Sequence, residues 1–365
     1  MLKIFLKSPI YYHYPIYNLA HEKKIPFKVF YWSKAGIEPY QDKEMPNVKR
    51  TWCRIEDLIH PHVFLKSLRV SKFDGGMFPR ISPSLWIEVL RSARNDILFF
   101  QGFSNVDEII CLLLSRLTRS RIVFRGEGMI RSDESIISRF LKRRLLSAVS
   151  YFGYSTEENK AFLKQYSASK ARFMYFPTIS NVITNRIVVN KERSVVVASR
   201  LVERKRIDLC LQYFKMAFPS DFSLEICGDG KPEFVAALKL LCKELKIENR
   251  VFFHGFVDQQ SLLRKFDSSE WYINLADSDP SPKALIEAMG CRCKIVISHG
   301  VGTRKDIEDL PYVFVVDTDD VDESAASFKK KWSVLNAKEY SKYGIPENIG
   351  ISKCIEVLHE VQKGI

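Results

Sequence analysis

The feature that most constrains the fold of this chain is a regular alternation of short apolar segments and helical patterns through its second half. The apolar segments are bounded by turns, and the stretches between them repeat apolar residues every three or four positions. This alternation predicts a parallel sheet flanked by helices. Strands are predicted at 194–198, 222–227, 250–253, 271–275, 294–297 and 312–316, and helices at 206–216, 232–245, 259–267, 282–290 and 321–335.

The first half has the same rhythm in a looser form, with strands predicted at 2–6, 27–31, 97–100, 121–125 and 150–153. The pattern breaks between residues 177 and 191, and a last helix is predicted at 351–362. We therefore expect two doubly wound, Rossmann-like α/β domains that face each other across a cleft. Their predicted bounds are 1–180 and 181–340, and residues 341–365 are expected to form a helix that packs back toward the first domain.

Composition is that of a globular protein, because 46% of the 365 residues are hydrophobic and 27% are charged. The longest apolar runs are too short to span a bilayer, and the amino-terminal segment is more typical of a first strand than of an export signal. The eight cysteines follow no disulfide or zinc spacing, which favours buried thiols in a reducing compartment. A cytoplasmic protein is expected.

The positive charge is concentrated in the first half. Residues 1–190 hold 30 Lys and Arg against 16 Asp and Glu, whereas residues 191–365 hold 26 against 27. Such a half-molecule favours an anionic partner, namely nucleic acid, a phosphate-rich substrate or an acidic membrane. The segment 135–152 mixes four cations with apolar residues and would suit an anionic membrane surface. The alternative is an ordinary helix packed on its sheet. We expect the apolar residues to pack on the sheet in this way, and we expect the cations to face an anionic membrane.

Arg200 and Lys205 directly follow a predicted buried strand. Cations at the carboxyl end of a strand suit a diphosphate, because Arg can bind two oxygens and Lys adds a point charge. A solvated basic loop is the alternative, since further arginines lie beside them.

A second group begins where a helix follows the strand at 271–275. Ser281 is a good N-cap and Pro282 a good first helical residue, so the helix start would attract an anion. Lys283 adds a cation in the first turn. Glu287, one turn later, could accept hydrogen bonds from a vicinal diol, although a helical Glu is most often a surface residue.

These motifs together resemble the retaining glycosyltransferases of family 4, which have the GT-B fold. The resemblance covers about 110 residues and rests on Ser199-Arg200-Leu201 with Lys205, Gly228-Asp229-Gly230, Val251-Phe252-Phe253-His254-Gly255, and Asp279 followed after seven residues by Glu287-Ala288-Met289.

The resemblance implies a role for each matching position. Arg200 and Lys205 would hold the donor diphosphate, and Glu287 would bind the nucleotide ribose. Asp279 would contact hydroxyls of the donor sugar. The predicted catalytic set is Arg200, Lys205, Asp279 and Glu287, and the further donor contacts are His254, Gly255 and Phe256 near the base and Ser281, Pro282 and Lys283 at the helix start.

The chain departs from the family pattern at several positions. The first acid of the pair is Asp279 in a D-P-S-P-K variant, and Arg206 stands where glycine is common. The Gly-Gly loop after the first strand and the usual histidine of the first domain are absent. Arg125 and Glu127 lie near the expected place of that histidine and are candidate first-domain contacts, with a structural ion pair as the alternative.

The resemblance implies transfer of a sugar, with retention, from a nucleotide-sugar donor to a glycan or lipid-linked acceptor of a cell-surface polysaccharide. No cofactor or metal is expected, because the cations and the helix start can stabilise the leaving diphosphate. A peripheral position on the inner face of the cell membrane is expected. The alternatives are a sugar-nucleotide epimerase of the same fold and a non-catalytic sugar-nucleotide-binding subunit. A nucleic-acid partner is not expected, since no binding module is recognisable.

Overall fold

The computed structural model describes residues 1–41, 49–71, 76–130, 134–179, 191–335 and 350–363. The chain forms two compact units, residues 1–179 together with 348–365, and residues 180–347. The segment 180–190, which contains most of the predicted domain boundary, lies outside the described residues.

The first unit is built on a seven-stranded parallel sheet in the order β11-β10-β9-β8-β1-β2-β5. Two short antiparallel pairs, β3 with β4 and β6 with β7, accompany it. The strands are β1 Leu2–Leu6, β2 Phe27–Tyr31, β3 Tyr40–Gln41, β4 Lys49–Arg50, β5 His62–Phe64, β6 Leu68–Arg69, β7 Arg80–Ile81, β8 Ile97–Gln101, β9 Arg121–Arg125, β10 Tyr151–Tyr154 and β11 Arg172–Tyr175. All five predicted strands are present.

Helices cover both faces of this sheet. They are α1 Tyr14–Glu22, α2 Pro83–Leu90, α3 Val106–Leu114, α4 Ile136–Leu146, α5 Glu157–Lys164 and, from the end of the chain, α13 Ile351–Lys363. One core cluster joins buried residues of α2, α3, α4 and α5 to the sheet. A second cluster joins α1 and α13 to it. Two layers of helices therefore enclose the sheet, as apolar strands that are buried on both faces require.

The second unit has a six-stranded parallel sheet in the order β14-β13-β12-β15-β16-β17. Its strands are β12 Glu192–Ala198, β13 Ser223–Cys227, β14 Val251–Gly255, β15 Ser269–Asn274, β16 Lys294–Ser298 and β17 Val313–Val316. Its helices are α6 Ile207–Ala217, α7 Pro232–Glu244, α8 Gln259–Ser268, α9 Lys283–Gly290, α10 Arg304–Ile307, α11 Val321–Lys330 and α12 Trp332–Leu335. Each of the six predicted strands is found, with its bounds displaced by a residue or two.

The expected burial of the apolar side of α4 is wrong. Leu146 is buried in the core, but Ile136, Ile137, Phe140 and Leu141 are all exposed. The contact with the sheet is made by the end of the helix and by the residues that follow it, such as Val149. The sequence pattern gave no way to distinguish these two groups of apolar residues. Among the described residues, no helix combines the length and the apolar character needed to cross a bilayer.

Candidate functional site

Two loops of the second unit meet at the topological switch point of its sheet, where the order of strands reverses between β12 and β15. In open α/β sheets, ligands bind outside the carboxyl ends of the strands at such a point. We call residues 199–206 the β12 loop and residues 275–282 the β15 loop. Arg200 and Lys205 lie in the first of these loops, and Asp279 lies in the second.

The glycines of the turn after β13 support the β12 loop. A Cβ atom on Gly228 would lie 1.8 Å from the carbonyl oxygen of Ser199, and one on Gly230 would lie 2.2 Å from that of Leu201. The backbone N–H of Leu201 donates to the carbonyl of Asp229 at 2.9 Å. Only residues without a side chain permit this approach. The turn therefore fixes the backbone on either side of the predicted diphosphate arginine.

A buried ion pair joins the two loops. Lys205 Nζ lies 2.5 Å from Asp279 Oδ2, and the lysine side chain is 7% exposed. Asn274 Nδ2, at the end of β15, donates to the same carboxylate oxygen at 3.1 Å. Burial lowers the pKa of Lys205, and the Asp279 carboxylate acts in the opposite direction. The predicted diphosphate lysine and the predicted sugar-contacting acid are thus brought together.

Arg206 provides a second link between the loops. Its backbone is left-handed, with φ of +46°, a conformation that costs a residue other than glycine about 1–2 kcal/mol. Its guanidinium Nη1 lies 3.2 Å from Asp277 Oδ1, and Nη2 lies 3.3 Å from Asp208 Oδ2. The backbone N–H of Asp277 also donates to the carbonyl of Arg204 at 3.0 Å. Arg206 thus has the left-handed backbone that a glycine adopts easily, and glycine is the residue common at this position in the similar family. In this chain the arginine side chain also forms two ion pairs there.

The β15 loop is supported from its other side by the turn after β16. A Cβ atom on Gly300 would lie 2.2 Å from the carbonyl oxygen of Ala276, and one on Gly302 would lie 2.3 Å from that of Pro280. The backbone N–H of Asp279 donates to the carbonyl of Gly300 at 2.9 Å. These two glycines were missed at the sequence level, because their role depends on the pairing of β15 with β16.

The predicted start of α9 is wrong by one residue. Pro282 is the N-cap and Lys283 is the first helical residue, whereas the sequence predicts these positions for Ser281 and Pro282. Pro282 also restricts the residue before it to an extended conformation, which keeps Ser281 outside the helix. The first turn of α9 nevertheless directly follows the β15 loop. Its unpaired backbone N–H groups therefore lie at the place where the sequence predicts a bound anion.

Glu287 is a buried residue of α9 and is only 2% exposed, which excludes the surface alternative. Gln259, the first residue of α8, donates from Nε2 to Glu287 Oε1 at 2.8 Å. A buried carboxylate requires hydrogen-bond partners, and this amide is one of them. Gln259 was missed at the sequence level because the two residues meet only when α8 packs on α9.

The residues predicted to lie near a base are at the end of the edge strand β14, with His254 and Gly255 in the strand and Phe256 directly after it. His254 Nε2 lies 2.6 Å from Glu225 Oε2, which also lies 2.8 Å from Lys265 Nζ. Gly255 has φ of +64°, and Phe256 is 41% exposed. The imidazole of His254 is therefore held against β13, and the Phe256 ring has a solvent-accessible surface.

In the first unit, Arg125 and Glu127 pair with each other. Arg125 Nη2 lies 3.0 Å from Glu127 Oε1, which also accepts a hydrogen bond from Thr178 Oγ1 at 3.0 Å. Arg125 Nε donates to the carbonyl of Phe176 at 3.4 Å, and the side chain as a whole is buried. This is the structural ion pair considered as the alternative, and it ties the end of β9 to the segment after β11.

The switch point of the first sheet lies between β1 and β8, where no site residue is predicted from the sequence. His13 Nε2 lies 2.9 Å from Gln101 Nε2 at the end of β8, and the ring of Tyr12 lies 4.4 Å from the ring of His13. This histidine follows β1, whereas the family histidine was expected after β9. Only the strand order brings the two segments together.

The second unit has two acid-rich runs, Asp277-Ser278-Asp279 and Asp317–Asp320, and both have partners within the protein. Asp277 and Asp279 pair with Arg206 and Lys205, as described above. Asp317 Oδ1 accepts from the backbone N–H of Asp319 at 3.0 Å, and Asp320 caps the start of α11. Across the described ranges, no group of three or more His, Cys, Asp or Glu residues is arranged to hold a metal ion.

Comparison with known proteins identifies the family of the second unit. Residues 183–340 match the family described as Glycosyl transferases group 1. A probable sucrose-phosphate synthase of Thermosipho melanesiensis is 22% identical over 175 residues, which are 46% of this chain and 41% of that protein. The match therefore spans less than half of this curated relative.

Solved structures match the whole chain. HepE of Anabaena, crystallised in complex with UDP and glucose, is 14% identical with a TM-score of 0.71, and the match covers 100% of both chains. A glycosyltransferase of Rickettsia africae is 12% identical with a TM-score of 0.70 over 99% of this chain and 97% of that one. The predicted resemblance to this group of glycosyltransferases and the predicted GT-B fold class are confirmed. Residues 183–340 are thus a glycosyl transferases group 1 domain in a chain of GT-B fold.

Proposed function

We propose that this protein is a retaining, metal-independent glycosyltransferase that moves a sugar from a nucleotide-sugar donor to a glycan or lipid-linked acceptor in the synthesis of a cell-surface polysaccharide. The observation that carries the proposal is the convergence of Arg200, Lys205 and Asp279 on one switch point, with Glu287 in the helix that starts there. This convergence lies within the domain that the family model matches.

The leaving diphosphate determines what the site must supply. As the glycosidic bond breaks, negative charge grows on the diphosphate, and fixed positive groups stabilise that charge. In our proposal, Arg200, Lys205 and the N-terminus of α9 provide these groups without a metal ion. Binding of the diphosphate displaces Asp279 from Lys205, and the released carboxylate accepts hydrogen bonds from hydroxyls of the donor sugar.

The nucleoside is assigned to the two neighbouring elements. Glu287, oriented by Gln259, accepts hydrogen bonds from the ribose diol, and the segment from His254 to Phe256 lies against the base. Ser281 and Lys283 complete the donor contacts at the start of α9. We assign no carboxylate nucleophile, since retention by attack from the face of the leaving diphosphate requires none.

The acceptor is assigned to the first unit. Its excess of cations supports a lipid-linked or membrane-proximal acceptor, because basic surfaces are attracted to the anionic cytoplasmic leaflet. We accordingly propose a cytoplasmic protein at the inner face of the cell membrane. Arg125 and Glu127 support this unit by fixing the end of β9. His13 and Gln101 lie nearer than this pair to the switch point of the first sheet.

The first experiment is a thermal-shift panel with UDP, GDP, ADP, CMP and their common sugars, with and without EDTA. UDP is the leading candidate, because the similar HepE was crystallised with it. We expect one nucleotide to raise the melting temperature of the full chain whether or not EDTA is present. The shift should be lost in Arg200→Ala and Glu287→Ala and kept in Glu244→Ala, which removes an exposed glutamate at the end of α7.

The same panel separates the alternatives. A shift that EDTA abolishes would contradict the metal-free site, and no shift with any nucleotide would remove the basis of the proposal. Incubation with the matching nucleotide sugar follows, with the products separated by chromatography. Release of nucleotide diphosphate supports transfer, conversion of the donor into its epimer would indicate an epimerase, and binding without any product would indicate a non-catalytic subunit.

A further inference from the structure

Helix α4 exposes a continuous apolar surface. The exposed fractions are 86% for Ile136, 72% for Ile137, 65% for Phe140 and 60% for Leu141. At about 100° per residue these four side chains fall within one arc of the helix, and Leu146, on the opposite arc, is buried in the core of the first unit. Large apolar side chains that occur singly on a surface are ordinary, but four on one helix face mark an interaction site.

The two helices that precede α4 in the same layer also expose apolar side chains. Helices α2, α3 and α4 pack on one face of the first sheet, and their outer sides face away from it. Further exposed apolar residues lie on α2, α3 and the turn that ends α3, namely Ile87, Leu90, Leu113 and Leu117. We call the outer sides of α2, α3 and α4, with these eight residues, the outer helical face.

Cations are interspersed with the apolar side chains. Helix α4 carries four cations and no acidic residue, and Arg139, Arg143 and Arg144 are exposed on it. Glu134, just before the helix, pairs with Lys142 at 2.6 Å and with Arg139 at 3.3 Å. The remaining charge of the helix is therefore positive. Exposed arginines at positions 91, 94 and 119 add to this charge beside α2 and α3.

The combination points to one kind of partner. An amphipathic helix with cations beside a Phe- and Leu-bearing face is suited to the boundary between headgroups and acyl chains of an anionic membrane. A protein groove that received the same apolar residues would also have to neutralise several arginines at its centre. A surface of anionic headgroups neutralises these arginines without the need for a specific partner for each one.

We propose that the outer helical face docks the first unit on an anionic phospholipid bilayer, with the first two turns of α4 inserted at the headgroup level. The biological role of this docking rests on the proposed function, because a glycosyltransferase that acts on a lipid-linked acceptor needs a surface that contacts the membrane. Its physical basis, the exposed apolar residues and the cations, is independent of catalysis.

The test is cosedimentation of the full chain with vesicles of phosphatidylcholine alone and of phosphatidylcholine mixed with phosphatidylglycerol. We expect binding to the mixed vesicles that weakens as salt is raised, and much weaker binding to the neutral ones. The double variant Phe140→Ser, Leu141→Ser and the single variant Arg144→Glu should each weaken binding by at least about tenfold. The matched control is Leu240→Ser, which removes an exposed leucine from α7 of the second unit and should leave binding unchanged.

Three results would overturn the proposal. One is absence of binding to mixed vesicles, and another is binding that the α4 variants do not weaken. The third is self-association of the wild-type chain that the α4 variants abolish, because the occupant would then be a second copy. A nucleotide-induced thermal shift measured on the same variants separates the two proposals. A variant that loses lipid binding but keeps the shift has lost only membrane docking, and its donor site is intact.

Discussion

At the scale of single residues, we expect the buried ammonium of Lys205 to make the proposed donor binding sensitive to pH. Burial lowers its pKa below the ordinary lysine value, so in the folded protein Lys205 loses its proton at a lower pH than an exposed lysine does. A diphosphate binds the charged form. Nucleotide affinity should therefore be full below the lowered pKa and fall, by up to about tenfold per pH unit, as the pH rises through it. Calorimetric titration with the matching nucleotide from neutral to alkaline pH measures this fall.

The matched variant for this prediction is Lys205→Arg. A guanidinium keeps its charge throughout the accessible range, so the alkaline fall in affinity should disappear, even if binding at neutral pH is weaker. An unchanged pH profile in Lys205→Arg would assign the fall to another group and would contradict a direct contact of Lys205 with the diphosphate.

Gln259 offers a second prediction at this scale, because its amide orients Glu287 without lying in either switch-point loop. Removing a hydrogen bond to a charged group costs about 1.5–3 kcal/mol. Gln259→Ala should therefore raise the dissociation constant for the nucleotide about tenfold or more while leaving the response to EDTA unchanged. Gln260→Ala, at the exposed neighbouring position, serves as the control. Equal effects of the two substitutions would contradict a positioning role.

The sequence located some of these side chains and missed others for a physical reason. Lys205 lies in the loop after β12 and Glu287 in the helix after β15, so their place at the carboxyl edge of the sheet could be inferred from the positions of strands and helices along the chain. Gln259, Asn274 and His13 act through partners that are far away in sequence or beyond a turn of unknown direction. Their roles depend on the order of strands and on helix packing, which a single sequence does not specify.

At the scale of elements, the turn after β13 is expected to tolerate no side chain at Gly228. An added Cβ would overlap the carbonyl oxygen of Ser199, so Gly228→Ala should destabilise the second unit by about 3 kcal/mol or more. Gly255→Ala is the matched comparison, since no atom lies within 4 Å of the added Cβ and only its φ of +64° is unfavourable. Its cost should be about 1 kcal/mol.

Native-state hydrogen exchange of the full chain, read on peptides from β12 and β13, measures this difference within the second unit. Equal protection in the two variants would mean that the β12 loop moves away readily, and the rigid support assigned to this turn would then be wrong.

Element prediction succeeded for the strands of the second sheet, including its edge strands β14 and β17, and for the central strands of the first. The edge strands β5 and β11 of the first sheet were missed; they have only three and four residues, which gives a weak periodic pattern. The start of α9 was displaced by a residue because two prolines compete for its first positions. The apolar residues of α4 were expected in the core, yet periodicity reports only that they share a face and not what covers it.

At the scale of the whole molecule, the first unit is completed by α13, whose residues Cys354, Ile355, Val357, Leu358 and Val361 are buried in its core. Deletion of residues 348–365 should destabilise the first unit by about 5 kcal/mol or more, since each large apolar side chain contributes about 1.5–3 kcal/mol. The second unit should keep its nucleotide-induced shift. Differential scanning calorimetry with and without nucleotide tests both statements.

Retention of the complete unfolding profile after this deletion would contradict a structural role for α13. Loss of nucleotide binding along with the first unit would indicate instead that the two units unfold as one cooperative system.

The position of α13 also orders events during synthesis. A ribosome that has made residues 1–179 has made every strand of the first sheet, but it has not yet made α13, which is one of the helices that cover this sheet. It must make the entire second unit before α13 exists. The second unit can therefore complete its own core earlier than the first. A chain cut short near its carboxyl end would carry a finished nucleotide domain beside an open apolar surface, which is the kind of surface that chaperones and proteases recognise.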